Sequence, residues 1–255
     1  MADGAIKAVL FDLGDTILNF GKVRTTQAFL EGARQSHAFL REQGQPIGAF
    51  WWYFARNLVR LRAKYLLSDL LRRDFDSLEV LQTVGAKQGV ELSTELWEQF
   101  AWLWYEPLAR RAEVEPDLPQ TLGMLRQMGC RLGIVSNTFV NRASLERQLE
   151  ELGLLDLFAT QLYSYEFSVR KPNQELFRIA ADRIGEPFEA ILFVGDRIDN
   201  DILPALECGM KAVLKDAYTN AGKPTPSNAW RIERLAELPA VIEKINTGAA
   251  QPSRT

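Results

Sequence analysis

The chain predicts an α/β protein in three layers, a parallel sheet between helices, with an all-helical segment inserted early. Three observations carry this. From about residue 112 onward, short apolar runs alternate with amphipathic stretches, the pattern of a parallel sheet covered by helices on both faces. Residues 21–111 show helical spacing with no strand-like alternation. Asp12, Ser136, Lys171 and Asp196 all fall near the C-terminal ends of predicted strands, the edge of an open parallel sheet where ligands bind.

The elements follow in order. Ala8-Val9-Leu10 opens the first strand and runs into FDLGDT, Phe11 to Thr16. Thr25 to Gln43 reads as helix. Leu118 to Met128 has apolar residues at helical spacing and stops at Gly129. Cys130 to Val135 is a buried strand ending at Ser136, and Arg142 to Leu152 is a helix closed by Gly153. Ala159 to Tyr163 is the next strand. Pro172 to Ile184 is a helix with Pro near its first turn and Gly185 at its end. Ile191 to Val194, then Ile202 to Glu207, then Met210 to Leu214 repeat strand, helix, strand. Asp216 to Ala229 is rich in Pro, Asn, Gly and Thr and reads as loop. A short strand and a helix over Arg231 to Ile245 close the fold, and Thr247 to Thr255 has the composition of a disordered tail.

At 255 residues the chain fits one large domain or two small ones. We divide it into a core, residues 1–20 and 112–255, and a helical insert, 21–111. The insert is too long for a loop and too apolar for a linker. It holds five of the six tryptophans, Trp51, Trp52, Trp97, Trp102 and Trp104. Such rings either pack a small helical bundle or line a pocket facing the sheet edge. Arg56, Arg60 and Lys64 recur every four residues and share one helix face, which either attracts an anionic substrate or, as is the default for surface helices, forms a solvated outer surface.

Several function classes are excluded. The net charge of -3 gives no reason to expect nucleic acid or an anionic membrane as partner. His37 is the only histidine, which rules out a Ser-His-Asp relay within one chain and a multi-histidine zinc site. Cys130 and Cys208 lie too far apart in sequence for a CxxC motif. With no apolar leader at Met1 to Lys7 and no run long enough to span a bilayer, the cytoplasm is the expected location.

The ordered set FDLGDT, Ser136-Asn137, Lys171-Pro172 and GDRIDND resembles the haloacid dehalogenase (HAD) superfamily, and the helical insert after the first motif resembles its C1-type cap. The resemblance implies a Rossmann-like core and a hydrolase, expected to be a phosphoric monoester hydrolase acting on a small phosphorylated substrate. By that resemblance Asp12 is the nucleophile that forms an aspartyl-phosphate. Asp12, the Gly14 carbonyl and Asp196 hold Mg²⁺, with Asp201 contacting it directly or through water. Ser136 and the Asn137 backbone bind phosphate, Lys171 neutralises nucleophile and phosphoryl group, and Thr16 helps hold the loop. Hard oxygen ligands suit magnesium, and a carboxylate is ionised at neutral pH without a base to activate it.

One departure from the family pattern matters. The usual D-x-D-G-T carries a general acid at its second Asp, and here that position is Gly14, with Asp15 displaced by one residue. Either Asp15 reaches the substrate through a rearranged loop, or the leaving group receives no proton from this motif. In the second case activity is confined to good leaving groups, or the chain is a low-activity binding or regulatory relative. A 2-haloacid dehalogenase is a further alternative, which Gly195-Asp196 argues against. A phosphonatase would need a cap lysine, and nothing around Lys64 or Lys87 marks either as one.

Overall fold

The computed structural model describes residues 5–22 and 25–248. The extreme N-terminus and most of the C-terminal tail considered above lie outside the described residues.

Six strands form one parallel sheet: β1 (Ala8–Phe11), β2 (Arg131–Ser136), β3 (Thr160–Tyr163), β4 (Ile191–Gly195), β5 (Lys211–Lys215) and β6 (Ala229–Ile232). Their spatial order is β3-β2-β1-β4-β5-β6. Connections run outward from β1 in both directions, so β1, β2 and β4 meet at the centre. Side chains alternate across each strand. Val9 and Phe11 of β1 and Leu192 and Val194 of β4 join one core. Ala8, Leu10, Ile191 and Phe193 join the other. The first core is covered by α5 (Leu118–Gln127), α6 (Arg142–Glu151) and α9 (Leu238–Asn246). The second is covered by α7 (Gln174–Ile184) and the short α8 (Leu203–Glu207). Burial on both faces explains why these strands read as unbroken apolar runs.

Two boundaries differ from the sequence reading. α7 starts at Gln174, because Asn173 caps it by accepting from Glu175 N–H at 2.9 Å, which leaves Pro172 outside the helix. A single π turn, Ile198–Ile202, precedes α8 and turns Asp201 inward.

The insert contains α1 (Thr25–Glu42), α2 (Phe50–Leu71), α3 (Ser77–Ala86) and α4 (Thr94–Ala109). It has its own core, built on Phe39, Leu40, Tyr53, Leu81, Trp97 and Phe100. The tryptophans split. Trp97 and Trp102 are buried, whereas Trp51 and Trp52 of α2 stand in solvent. His37 is an ordinary helix residue, its Nε2 3.0 Å from the Gly48 carbonyl. Both cysteines are free thiols. Among the described residues, no helix is long and apolar enough to cross a membrane.

Candidate active site

β1, β2 and β4 end side by side, and each delivers one polar residue to the same place. Asp12 follows β1, Ser136 ends β2 and Asp196 follows β4. With Gly14, Asn137, Lys171 and Asp201 they line one cavity of about 490 Å³ between the sheet edge and the insert.

Lys171 is the hub. Its side chain is 2% exposed, and Nζ donates to Asp12 Oδ1 at 2.6 Å. The same nitrogen lies 2.7 Å from Asp201 Oδ1 and 5.3 Å from the centre of the Phe193 ring. Burial pulls its pKa down, but Asp12 and Asp201 outweigh that and hold it above the usual lysine range. Lys171 is therefore a fixed cation. Asn137 holds it from behind: its amide donates to the Lys171 carbonyl at 2.8 Å and accepts from the Lys171 N–H at 2.9 Å. The Asn137 side chain thus positions Lys171.

Gly195 explains its own presence. A Cβ there would meet the Asp201 side chain at 2.5 Å, so only glycine lets Asp201 fold against the end of β4. The Arg197 N–H then donates to Asp201 Oδ2 at 2.9 Å. Asp199, by contrast, pairs with Arg197 at the surface.

Asp12, Asp196 and Asp201 place ligand oxygens within 4.8 Å of one another, and all three are buried. One lysine cannot neutralise three carboxylates. Burial, then the charge of Asp12, push Asp196 up to about 7. Burial also pushes Asp201 up to about 6, although Lys171 opposes it. Clustered, buried, hard oxygen donors with surplus negative charge are the donor set of a divalent cation such as magnesium. Asp201 Oδ2 accepts from Arg197, and its Oδ1 is ion-paired with Lys171 but accepts no hydrogen bond among the described residues, so all three carboxylates could hold a cation.

Two expected site residues have other jobs here. Asp15 lines the cavity but adopts left-handed backbone, φ 56°. Its Oδ1 accepts from the Phe20 and Gly21 N–H groups, each at 3.0 Å. Asp15 Oδ1 thus clasps its own loop, while the residue stays at the cavity beside Tyr218. Thr16 is 4% exposed, and its hydroxyl has no hydrogen-bond partner among the described residues. It is not among the residues that line the cavity.

Sequence reasoning missed the loop after β5. Thr219 Oγ1 donates to Asp196 Oδ2, and Asn220 Nδ2 donates to the Asp196 carbonyl at 2.8 Å. These bonds aim the Asp196 carboxylate. A signal existed for the loop, which follows a parallel strand at the binding edge, but not for which of its side chains turn inward. The insert also reaches the site. Arg170 Nη1 donates to Asp74 at 3.0 Å and Nη2 to Asp69 at 2.9 Å. Asp74 also accepts from Ser68 and from Ser164, and Ser164 accepts from the Thr138 N–H. A polar web therefore ties the insert to the loop after Ser136. Phe20, Tyr65, Tyr105, Phe139 and Tyr218 give the outer cavity aromatic walls.

Comparison with known proteins places this arrangement. Residues 6–209 match the model of the haloacid dehalogenase-like hydrolases. The chain is 30% identical over 211 residues to a glyceraldehyde 3-phosphate phosphatase of Methanopyrus kandleri, covering 82% of this chain and 83% of that one. It is 27% identical over 212 residues to 5-amino-6-(5-phospho-D-ribitylamino)uracil phosphatase of Escherichia coli, with the same coverage of each chain. A crystal structure of a HAD phosphatase from Thermococcus onnurineus superposes with a TM-score of 0.59 at 25% identity, over 93% of this chain and 98% of that one. The chain belongs to the haloacid dehalogenase-like hydrolases.

Proposed function

We propose that this protein is a magnesium-dependent phosphatase of small organophosphates, working through Asp12. The observation that carries the reading is the contact of Lys171 with Asp12 in a buried carboxylate cluster. Residues 21–111 act as the cap over a core of residues 1–20 and 112–255. The phosphatase names of the similar chains support the substrate class. The aromatic cavity walls suit an organic leaving group larger than phosphate itself.

In this reading an Asp12 oxygen attacks phosphorus, the ester P–O bond breaks, and the leaving oxygen takes the electron pair. Water then attacks the acyl phosphate and frees Asp12. The Lys171 charge lies where negative charge gathers on nucleophile and phosphoryl group. Ser136 and the Asn137 backbone bind the phosphoryl oxygens. Asp12, Asp196 and the Gly14 carbonyl would hold Mg²⁺, with Asp201 positioning Lys171 beside it. The ion would supply charge neutralisation between an anionic nucleophile and an anionic substrate.

Gly14 removes the usual acid, and Asp15 is engaged elsewhere. Leaving groups that need a proton are therefore penalised by about 10²–10⁴-fold. A panel of aryl, acyl and alkyl phosphates assayed with magnesium or chelator tests the proposal. Magnesium-dependent hydrolysis of the aryl and acyl esters, with slow alkyl esters, is expected. No hydrolysis of any of them, with magnesium still bound, would instead identify a binding or regulatory relative.

The carboxylate cluster also gives a pH signature. Asp196 rises from 3.8 to about 7 on folding, so between those values the folded state binds more protons than the unfolded one. Stability of the chelated protein is then expected to fall as pH rises through that window. Magnesium should raise the melting temperature more at about pH 8 than at about pH 5. Thermal unfolding with and without chelator measures this, and equal shifts at both pH values would count against a cation among these carboxylates.

A further inference from the structure

The helix α2 buries one face and leaves an apolar one open. Tyr53, Asn57 and Ser68 are buried against the insert. On the opposite side Trp52, Ala55, Val59, Ala63, Leu66 and Leu70 recur at three- and four-residue steps, and all six are exposed. That spacing is the seam of a two-helix contact. Trp52, Val59, Leu66 and Leu70 are 73%, 67%, 70% and 79% exposed. The helix carries eight of the fourteen large apolar side chains that the described residues expose.

We propose that α2 is the dimer interface of this protein, pairing antiparallel with α2 of a second copy. Area is the first argument. The seam residues Trp52, Ala55, Val59, Ala63, Leu66 and Leu70 leave on the order of 600 Å² in water. That is the upper end of a soluble monomer's largest patch, ~300–600 Å², and the greater part of the ~800 Å² that a standard interface takes from each partner. Register is the second. A two-fold axis near Leu61 sets Val59 against Ala63 of the second copy, Ala55 against Leu66, and Trp52 against Leu70. Large residues thus meet small ones in the middle of the seam, and one surface complements itself, as a two-fold interface requires. The third argument is shape. Arg56 and Arg60 flank the stripe on one side and Arg62 and Asp69 on the other, the polar borders of a seam between two helices. Because Tyr65 and Asp69 of α2 also line the active-site cavity, the second copy braces a wall of that cavity.

The pairing brings Arg60 and Arg62 near their own equivalents. Salt screens this repulsion, so the dimer should tighten as salt is added, whereas attraction to an anionic membrane or an acidic partner would weaken. Sedimentation velocity of the full chain across a salt series tests this. The expected result is twice the mass of one chain, with dissociation more evident at low salt. Val59→Lys with Leu66→Lys should give a single-chain mass with unchanged helical circular dichroism. The milder pair Val59→Ser with Leu66→Ser, which keeps the fold if the lysines do not, should raise the dimer Kd at least about 100-fold. A wild-type chain that stays single at every salt concentration, including one that binds anionic vesicles, would overturn the proposal. So would a serine pair that still dimerises as tightly as wild type.

Discussion

Asp12→Asn is expected to lower phosphatase turnover by at least about 10⁴-fold, the largest effect of any single substitution here. Asparagine keeps the shape of aspartate, so the sheet edge stays intact. It removes the negative oxygen that Lys171 holds at 2.6 Å and offers no nucleophile of comparable strength. Lys171 keeps Asp201 at 2.7 Å as a partner, so the variant should fold with a wild-type circular dichroism spectrum. Magnesium affinity should fall too, because one of three clustered carboxylates loses its charge. Steady-state assays on an aryl phosphate, with isothermal titration of magnesium, separate the two losses. Turnover within tenfold of wild type would remove Asp12 from the chemistry.

Gly14→Asp should act in the opposite direction. A Cβ at Gly14 meets nothing within 4 Å, and Gly14 is not among the described glycines with left-handed backbone. An aspartate there fits without strain and enters the cavity. Its carboxyl group would supply the proton that the leaving group lacks, so alkyl phosphate turnover should rise by about 10²–10⁴-fold. Aryl phosphates, whose leaving groups need less help, should change far less. Asp15 stays clasped to Phe20 and Gly21 in both proteins. The ratio of kcat/KM for an alkyl to an aryl phosphate is the readout. A ratio that does not move would mean that another group already protonates the leaving oxygen.

What the sequence made legible follows from burial and from motif position. The strands are buried on both faces, so Val9 to Phe11 and Ile191 to Val194 appear as continuous apolar runs. Asp12, Ser136 and Asp196 come straight after such runs, and a parallel sheet has only one edge at which its strands end together. Lys171 also reads as lying near a strand end, but β3 stops at Tyr163, so Lys171 comes to the edge on the loop that follows and its motif is the firmer signal. Thr219 and Asn220 were not legible as site residues, because a loop of Asn, Gly, Pro and Thr has no periodicity to say which side chain turns inward. The fate of Asp15 was equally hidden: its left-handed backbone, φ 56°, is set by amides five and six residues away. Trp51 and Trp52 were ambiguous for a different reason. α2 is apolar around much of its circumference, so periodicity does not distinguish the covered face from the open one.

The central claim is that phosphorus bonds to an oxygen of Asp12 during turnover. Acid-quenching the enzyme during turnover of an aryl phosphate with magnesium, then mapping its peptides by mass spectrometry, tests this directly. The account predicts a hydroxylamine-labile phosphoryl adduct on Asp12, abundant because the missing acid also slows its hydrolysis, and absent with chelator. Phosphate released without any adduct, or an adduct on another residue, would contradict it.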